Sequence, residues 1–224
     1  MAKRVFSLVT RIALLATQQG GYASNQEICT TLGIASQQAF NALLPAKSPR
    51  PVGPGLNREL DTRLAPFLRR QGYSTSATLP DLPMTGGQFA LPAECAYVDY
   101  YDVADAVTVE EVSGGALRYK LTDAVNGPTP EYPVVATVAA GTKQLYPRDL
   151  ARVEVQFYAR PTEPVYFEDY SAGEASYVDD KSVDAGWDED MEPELLVRSL
   201  RLLGLEIRDP ALMQVAAQLT AESL

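Results

Sequence analysis

The sequence predicts an α+β fold, in which helices at both ends of the chain flank a small central antiparallel β region. Apolar residues recur at helical spacing near both ends, whereas the middle of the chain is rich in Tyr and Val with strand-like alternation. Prolines and glycines mark the changes between the two patterns. We therefore divide the 224 residues into a helical part over 1–72, a β region over 79–160, and a segment over 161–224 with an aromatic and acidic loop and a helix pair, packed as one compact unit.

The N-terminal part begins with amphipathic helices. Apolar residues predict a first helix over residues 3–18, which is too short and too polar to span a membrane. A capping box of Ser24 and Glu27 opens a second, short helix, and Gly33 is expected to end it. Ser36 is then expected to cap a third helix.

A basic helix is predicted over Arg58–Gln71, after the proline-rich connector Pro45–Gly55. Its apolar side chains are expected to point inward and its arginines outward, with a kink or a break at Pro66. The arginine face suits either nucleic-acid contact along a channel or simple exposure to solvent.

The β region is predicted from alternating apolar and polar residues. A turn at Ser113-Gly114-Gly115 predicts a hairpin, and Gly141 lies between the members of a second pair. The last strand shows the clearest alternation, with Val153, Val155 and Phe157 on one face. The predicted strands cover residues 97–103, 107–112, 117–121, 133–138, 144–146 and 151–160.

The C-terminal segment combines a long loop with two predicted helices. The loop covers residues 162–186, a length that favours a functional role or ordering by a partner. Pro193 suits the first turn of the following helix, and Gly204 suits its end. A second helix is predicted to begin at Asp209, a good N-cap residue.

Histidine is absent from the chain. Ser-His-Asp and Cys-His catalytic pairs and histidine metal ligands are therefore missing. Cys29 and Cys95 lack CxxC spacing and are expected to be small buried apolar residues. Gly-rich phosphate-binding motifs are absent as well. We therefore expect no catalytic residues, no cofactor and no bound metal.

A dense group of carboxylates surrounds Trp187, the only tryptophan. As an EF-hand loop starting at Asp180 the group fails, because Ala185 occupies the glycine position and Met191 the glutamate position. Three interpretations of the group stay open: a carboxylate pair for glycan hydrolysis, an acidic docking surface, and a solvated loop that stabilises the next helix through its dipole. The group consists of Asp179, Asp180, Asp184, Asp188, Glu189 and Asp190.

Charge is distributed unevenly along the chain. Residues 1–70 carry nine basic and three acidic side chains, whereas residues 161–224 carry four basic and fifteen acidic ones. This polarity is typical of a subunit whose one end meets the opposite end of a copy or another neighbour, and two solvated faces of opposite sign give the same pattern.

A series of short runs follows in order over about residues 130–210. The runs are Pro133-Val134-Val135, Leu145-Tyr146-Pro147, Val153 to Pro161, Ser182-Val183-Asp184, Trp187-Asp188-Glu189-Asp190, Leu203-Gly204-Leu205 and Arg208-Asp209. This order resembles the neck, or head-to-tail connector, structural proteins of tailed bacteriophages. The resemblance implies a non-enzymatic subunit, many copies of which form a ring, usually twelve-fold, below the portal. The proline-rich segment Pro45–Gly55 of this chain departs from the family's pattern.

The resemblance and the charge polarity together predict a virion structural protein that joins the portal to the tail around the DNA channel. Its expected partners are copies of itself, the portal protein and tail or neck proteins, with non-specific proximity to DNA and no membrane association. Assembly is expected in the host cytoplasm. The alternatives are another tail or baseplate structural protein, an adaptor without ring symmetry, and a carboxylate-based glycan hydrolase.

Contacts between subunits are expected to join the basic helix of one copy to the acidic loop Asp179–Asp190 of the next, with apolar anchors that supply the adhesion. Trp187 is equally a candidate for the core of its own subunit. The candidate interface residues are Arg58, Arg63, Arg69, Arg70, Trp187, Asp188, Glu189, Asp190, Leu195 and Leu212.

Overall fold

The computed structural model shows a mixed α+β protein with N-terminal helices, central sheets and a C-terminal helix, in agreement with the predicted class. It describes residues 4–18, 22–44, 60–76, 80–103, 107–123, 125–170, 176–205 and 213–214. The chain forms two compact units. We call Met1–Phe67 with Pro161–Leu224 the helical unit, and Leu68–Arg160 the β unit.

The described elements follow in chain order. The helices are α1 (Arg4–Gln18), α2 (Asn25–Leu43), α3 (Gly114–Thr122) and α4 (Glu192–Leu202). The strands are β1 (Leu68–Ser74), β2 (Leu82–Pro83), β3 (Gln88–Ala90), β4 (Cys95–Val103), β5 (Val107–Thr108), β6 (Glu110–Val112), β7 (Val134–Ala139), β8 (Thr142–Tyr146), β9 (Arg152–Ala159), β10 (Glu168–Asp169) and β11 (Ser176–Tyr177).

Helix α1 buries one apolar stripe, as its sequence pattern predicts. The buried residues are Val5, Leu8, Val9, Ile12 and Ala16. The capping box at the start of α2 is confirmed: the Ser24 hydroxyl accepts from the backbone N–H of Glu27, and the Glu27 carboxylate accepts from the backbone N–H of Ser24. Both α1 and α2 pack against α4, so the two ends of the chain share one helical core.

Helix α2 is continuous, so the predicted end at Gly33 and the predicted cap at Ser36 are wrong. A Cβ at Gly33 would lie 3.4 Å from Cδ of Pro164. This is an ordinary contact distance, and a glycine inside a helix costs only about 1 kcal/mol relative to alanine, so Gly33 alone does not end the helix. Ser36 lies within the helix and is buried.

The predicted helix Arg58–Gln71 is wrong beyond residue 67. Residues 60–64 are helical, Ala65–Phe67 form a 3₁₀ turn, and β1 follows directly. Pro66 has no backbone N–H to continue a helix, and β1 pairs with β9 along its whole length. Pairing with a distant strand thus overrides the local helical pattern.

Two sheets form the β unit. One has the order β2-β1-β9-β4-β5, and the other has the order β3-β8-β7-β6. The predicted face of β9 is confirmed, because Val153, Val155 and Phe157 all belong to the core shared by residues of the two sheets. Gln156 and Tyr158 on the opposite face are buried as well. The hairpin of β7 and β8 around Gly141 is also confirmed. Most strand pairs are antiparallel, but β1–β2 and β6–β7 are parallel.

The hairpin predicted at 113–115 is wrong, since this segment begins α3. The Ser113 hydroxyl accepts from the backbone N–H of Ala116 as an N-cap. Strands β6 and β7 run parallel and need a crossover between them, which a two-residue turn is too short to provide. The segment Leu117–Leu121, predicted as a strand, is part of that crossover.

The C-terminal segment folds against the helical core. Within the predicted loop 162–186, β10 and β11 pair, and Val165 bridges to Val183. Helix α4 ends as predicted: the N–H of Gly204 donates to the Arg201 carbonyl and that of Leu205 to the Leu200 carbonyl, a Schellman motif. The helix predicted from Asp209 lies largely outside the described residues. No described helix combines the length and apolar character needed to cross a bilayer.

Candidate functional site

The acidic segment, residues 179–194, caps the first helix of the chain. The backbone N–H groups of Arg4 and Val5 donate to the Asp184 carboxylate over 3.3 and 2.6 Å. The Arg4 guanidinium donates to the backbone carbonyl of Trp187 over 2.6 Å. A negative charge at a helix N-terminus satisfies free N–H groups and the helix dipole together. Asp184 therefore fastens the acidic segment to α1.

The neighbouring carboxylates of this segment face arginines of the same unit. Nitrogens of Arg4 lie 3.7 Å from Asp188 and 3.6 Å from Glu189. A nitrogen of Arg11 lies 3.7 Å from Glu192. Such partly exposed pairs contribute about 0–1 kcal/mol each, so they align the segment more than they stabilise it. Asp188 and Glu189 thus share one arginine as their partner.

Trp187 is a core residue, with 5% of its surface exposed. Its indole N–H donates to the buried Ser36 hydroxyl over 2.6 Å, and its ring meets Phe67 edge-on with 4.6 Å between centroids. Gly186 precedes it with φ +84°, a conformation that favours glycine. Of the two alternatives for Trp187, the core residue is the one that the structure shows. Leu195 is buried as well, so neither side chain offers an interface anchor.

The predicted interface arginines have partners within their own units. Arg63 lies 3.8 Å from Glu194, which also binds Arg198. Arg70 donates to the Gln156 side chain over 2.9 Å. Arg69 donates to the carbonyl of its neighbour Leu68. The remaining predicted interface residues Arg58 and Leu212 lie outside the described residues, and Asp190 is exposed beside Met191 in a 3₁₀ turn.

A cleft of about 880 Å³ opens in the helical unit between the end of α1, the start of α2 and residues 163–170. We call it the tyrosine cleft. Tyr22 and Tyr170 expose 91% and 64% of their surfaces there. The Asn25 amide donates to one oxygen of Glu168 over 2.6 Å, and the Tyr170 hydroxyl donates to the other. The hydrogen bond to Glu168 is the main reason that the pKa of Tyr170 is raised.

Sequence patterns identify the aromatic residues of the 162–186 segment but not this cleft. Its walls come from both ends of the chain, and no local spacing connects Tyr22 with Tyr170. Cys29 forms part of the floor, and burial raises the pKa of its thiol, as expected for a structural cysteine.

The second exposed feature is an apolar surface on the β unit, which we call the α3 surface. Tyr119, Val125 and Tyr132 expose 78%, 88% and 76% of their surfaces. Leu121 on α3 and Val138 on β7 are exposed as well. Helix α3 contacts β7. Helix α3 has no fully buried residue. The exposed large apolar side chains of the β unit thus concentrate within residues 119–138, and apolar surface that stays exposed is typical of protein contact sites when it is contiguous.

The described residues contain no group of three or more carboxylate and cysteine side chains placed to hold a metal ion. The β unit does contain an internal ion pair, in which Lys143 donates to Glu111 and Tyr101 donates to the same carboxylate. Burial is the main reason that the pKa of Tyr101 is raised. This pair lies at the rim of the shared core, with Lys143 buried and Glu111 partly exposed.

Comparison of the chain with models of protein families found no match, and no curated protein matches it. The described residues offer three features: an acidic segment engaged in helix capping and ion pairs, an acidic and aromatic cleft, and an apolar surface around α3.

Proposed function

We propose that this protein is a non-enzymatic structural subunit of a tailed-bacteriophage particle. In this proposal, copies form a ring that connects the portal to the tail around the DNA channel. The order of short runs over about residues 130–210 resembles head-to-tail connector proteins, and this resemblance suggests the particular assembly. The exposed α3 surface is the main structural support for a role in protein assembly.

Among the described residues of the β unit, the apolar side chains of the α3 surface are left exposed. Helix α3 has only nine residues, and helices of this length are marginal in water without packing. Leu117 packs partly against the small cluster of Val112, Val134 and Ala136, while Tyr119 and Leu121 on the same helix are exposed. Burial of exposed aromatic side chains is the usual source of adhesion between subunits. We therefore assign the contact between copies to this surface.

The acidic segment supports a structural role for a different reason. Asp184 caps α1, and Asp188, Glu189 and Glu192 face arginines of the same unit. A glycan hydrolase needs two carboxyl groups that face each other across a bond, about 5–10 Å apart. In the structure, Asp184 serves as a helix cap and the other three carboxylates lie in ion pairs. No specific observation favours the hydrolase.

The proposed contact between copies therefore differs from the one expected from charge polarity. The acidic segment and Arg63 already have partners within the helical unit. Exposed ion pairs are individually weak, so exchanging them between subunits gains little free energy. In the proposed ring, charge sets the register and the rate of association, and the α3 surface supplies the affinity.

Assembly of the purified protein tests this proposal. We expect Tyr119→Asp with Tyr132→Asp to abolish the formation of rings and of complexes with the portal protein of the same particle, because two charges would have to be buried. Mass photometry and negative-stain electron microscopy measure both. Leu14→Asp is the matched control, since Leu14 is exposed on α1 in the other unit. It is expected to leave assembly intact.

Two outcomes would overturn the proposal. One is a protein that stays monomeric with the portal and is absent from purified particles by mass spectrometry. The other is ring formation that the two aspartates leave unchanged. The first outcome removes the connector role, and the second removes the α3 surface as the contact.

A further inference from the structure

The tyrosine cleft has the chemistry of a site for a cationic side chain. The described residues that line it include Glu163 and Glu168 but no lysine or arginine. Tyr22, Tyr166 and Tyr170 add aromatic rings. A guanidinium or ammonium group gains both from carboxylate oxygens and from the negative faces of aromatic rings. The lining therefore complements a positive charge.

Glu168 is held in place before any ligand arrives. The Asn25 amide donates to one of its oxygens, and the Tyr170 hydroxyl donates to the other. A carboxylate accepts about four hydrogen bonds, so each oxygen keeps capacity for a further donor. Asn25 is the first residue of α2, which the capping box anchors. The carboxylate is thus oriented by a rigid helix end, which lowers the entropy cost of binding.

The cleft continues along α2 as a groove. A second cavity of about 240 Å³ shares Thr30 and Glu163 with it and extends past Ile34 to Gln37. From Asn25 to Gln37 the helix rises about 18 Å, which matches about five or six residues of extended chain. Ile34 is exposed on this side, so the groove also offers an apolar contact. A peptide segment fits this length better than a small cation does.

We propose that this groove binds an extended, basic segment of a partner protein, with one arginine or lysine side chain in the tyrosine cleft. Glu168 and Glu163 bind the charge, Tyr22 and Tyr170 cover it, and the neighbouring residues of the segment lie along α2. The inference rests on the proposed function only for the identity of the partner, which would be a neighbouring protein of the particle.

Peptide binding to the full chain tests the proposal. The probe is a fluorescein-labelled hexapeptide with the sequence Gly-Ser-Arg-Val-Ser-Gly, compared with the same peptide in which citrulline replaces arginine. Citrulline keeps the shape of the side chain and removes its charge. Fluorescence anisotropy is expected to show binding of the arginine peptide and at least about tenfold weaker binding of the citrulline peptide.

Variants of the protein locate the site. Glu168→Gln is expected to weaken binding of the arginine peptide about tenfold, and Tyr22→Ala about fivefold. Glu131→Gln and Tyr97→Ala are matched controls, because both residues are exposed in the β unit. Both are expected to leave binding unchanged. The emission of Trp187 verifies that each variant is folded.

Equal binding of the arginine and citrulline peptides would overturn the inference, as would full affinity in both Glu168→Gln and Tyr22→Ala. Competition by N-acetylarginine amide at the same concentration as the hexapeptide would overturn the peptide groove, since the cation alone would then account for binding. Ring formation is measured separately. Peptide binding without rings refutes the connector role alone, whereas rings without peptide binding refute the cleft alone.

Discussion

The hydrogen bond between Trp187 and Ser36 allows a double-mutant test of the helical core. Ser36→Ala removes the acceptor and leaves the indole N–H buried without a partner, because Trp187 is 5% exposed. An unsatisfied buried donor costs about 1–3 kcal/mol, and we expect the free energy of unfolding of the helical unit to fall by that amount. Trp187→Phe removes the donor and keeps a ring against Phe67.

The double variant separates the hydrogen bond from the packing. With Phe at 187 no N–H remains to be satisfied, so adding Ser36→Ala is expected to cost little more. The two substitutions should therefore be non-additive by about 1–2 kcal/mol. Trp187 is the only tryptophan, so its emission follows urea unfolding of the wild type and of Ser36→Ala. Far-UV circular dichroism follows all four proteins.

Ser7→Ala serves as the control for a serine change on a helix, since Ser7 is exposed on α1. It is expected to change the unfolding midpoint little. Additive costs within about 0.3–0.5 kcal/mol would refute the reasoning, because independent sites add within that range. In that case the indole N–H would not depend on Ser36.

Two further predictions concern carboxylates. Asp184→Ala removes the acceptor for the Val5 N–H. Urea denaturation is expected to show that the free energy of unfolding of the helical unit falls by about 0.5–2 kcal/mol. Asp180→Ala is the control and should have little effect, because Asp180 is exposed. Backbone N–H groups of the turn after Asp123 donate to its carboxylate and lower its pKa below the ordinary 3.8. These hydrogen bonds therefore stabilise the turn above pH 3.8, and the stabilisation is lost as the pH falls through the lowered pKa. The backbone amide resonance of Asn126 is expected to shift with pH as these hydrogen bonds are lost, and Asp123→Asn is expected to abolish that shift. The same pH-dependent shift in Asp123→Asn would contradict the assignment.

The sequence alone was sufficient where neighbouring residues decide the structure. The capping box at Ser24, the β7–β8 turn at Gly141 and the end of α4 at Gly204 follow from local hydrogen bonds and glycine conformations. The core-facing residues of β9 follow from the period of two of a strand. These signals also predict the α+β class, because they set the order of helices and strands.

The same local signals failed where distant partners compete. Gly33 lies within α2, whose residues on both sides of it are buried in the helical core. Pro66 is followed by a strand because β1 pairs with β9. Ser113 begins a helix because the parallel strands β6 and β7 need a crossover. In each case tertiary packing outweighed a preference of at most about 1 kcal/mol per residue.

What the sequence determined about the candidate sites is therefore their ingredients: a cluster of carboxylates, a single tryptophan, scattered tyrosines and a basic segment. Only the tertiary structure decided their roles. Asp184 meets the start of α1 across 179 residues, Trp187 meets Ser36 across 151, and Tyr22 and Tyr170 line one cleft. Hydrogen bonds and burial act over a few ångströms of space regardless of distance along the chain, so the contacts that separate a structural carboxylate from a binding one exist only in the folded protein.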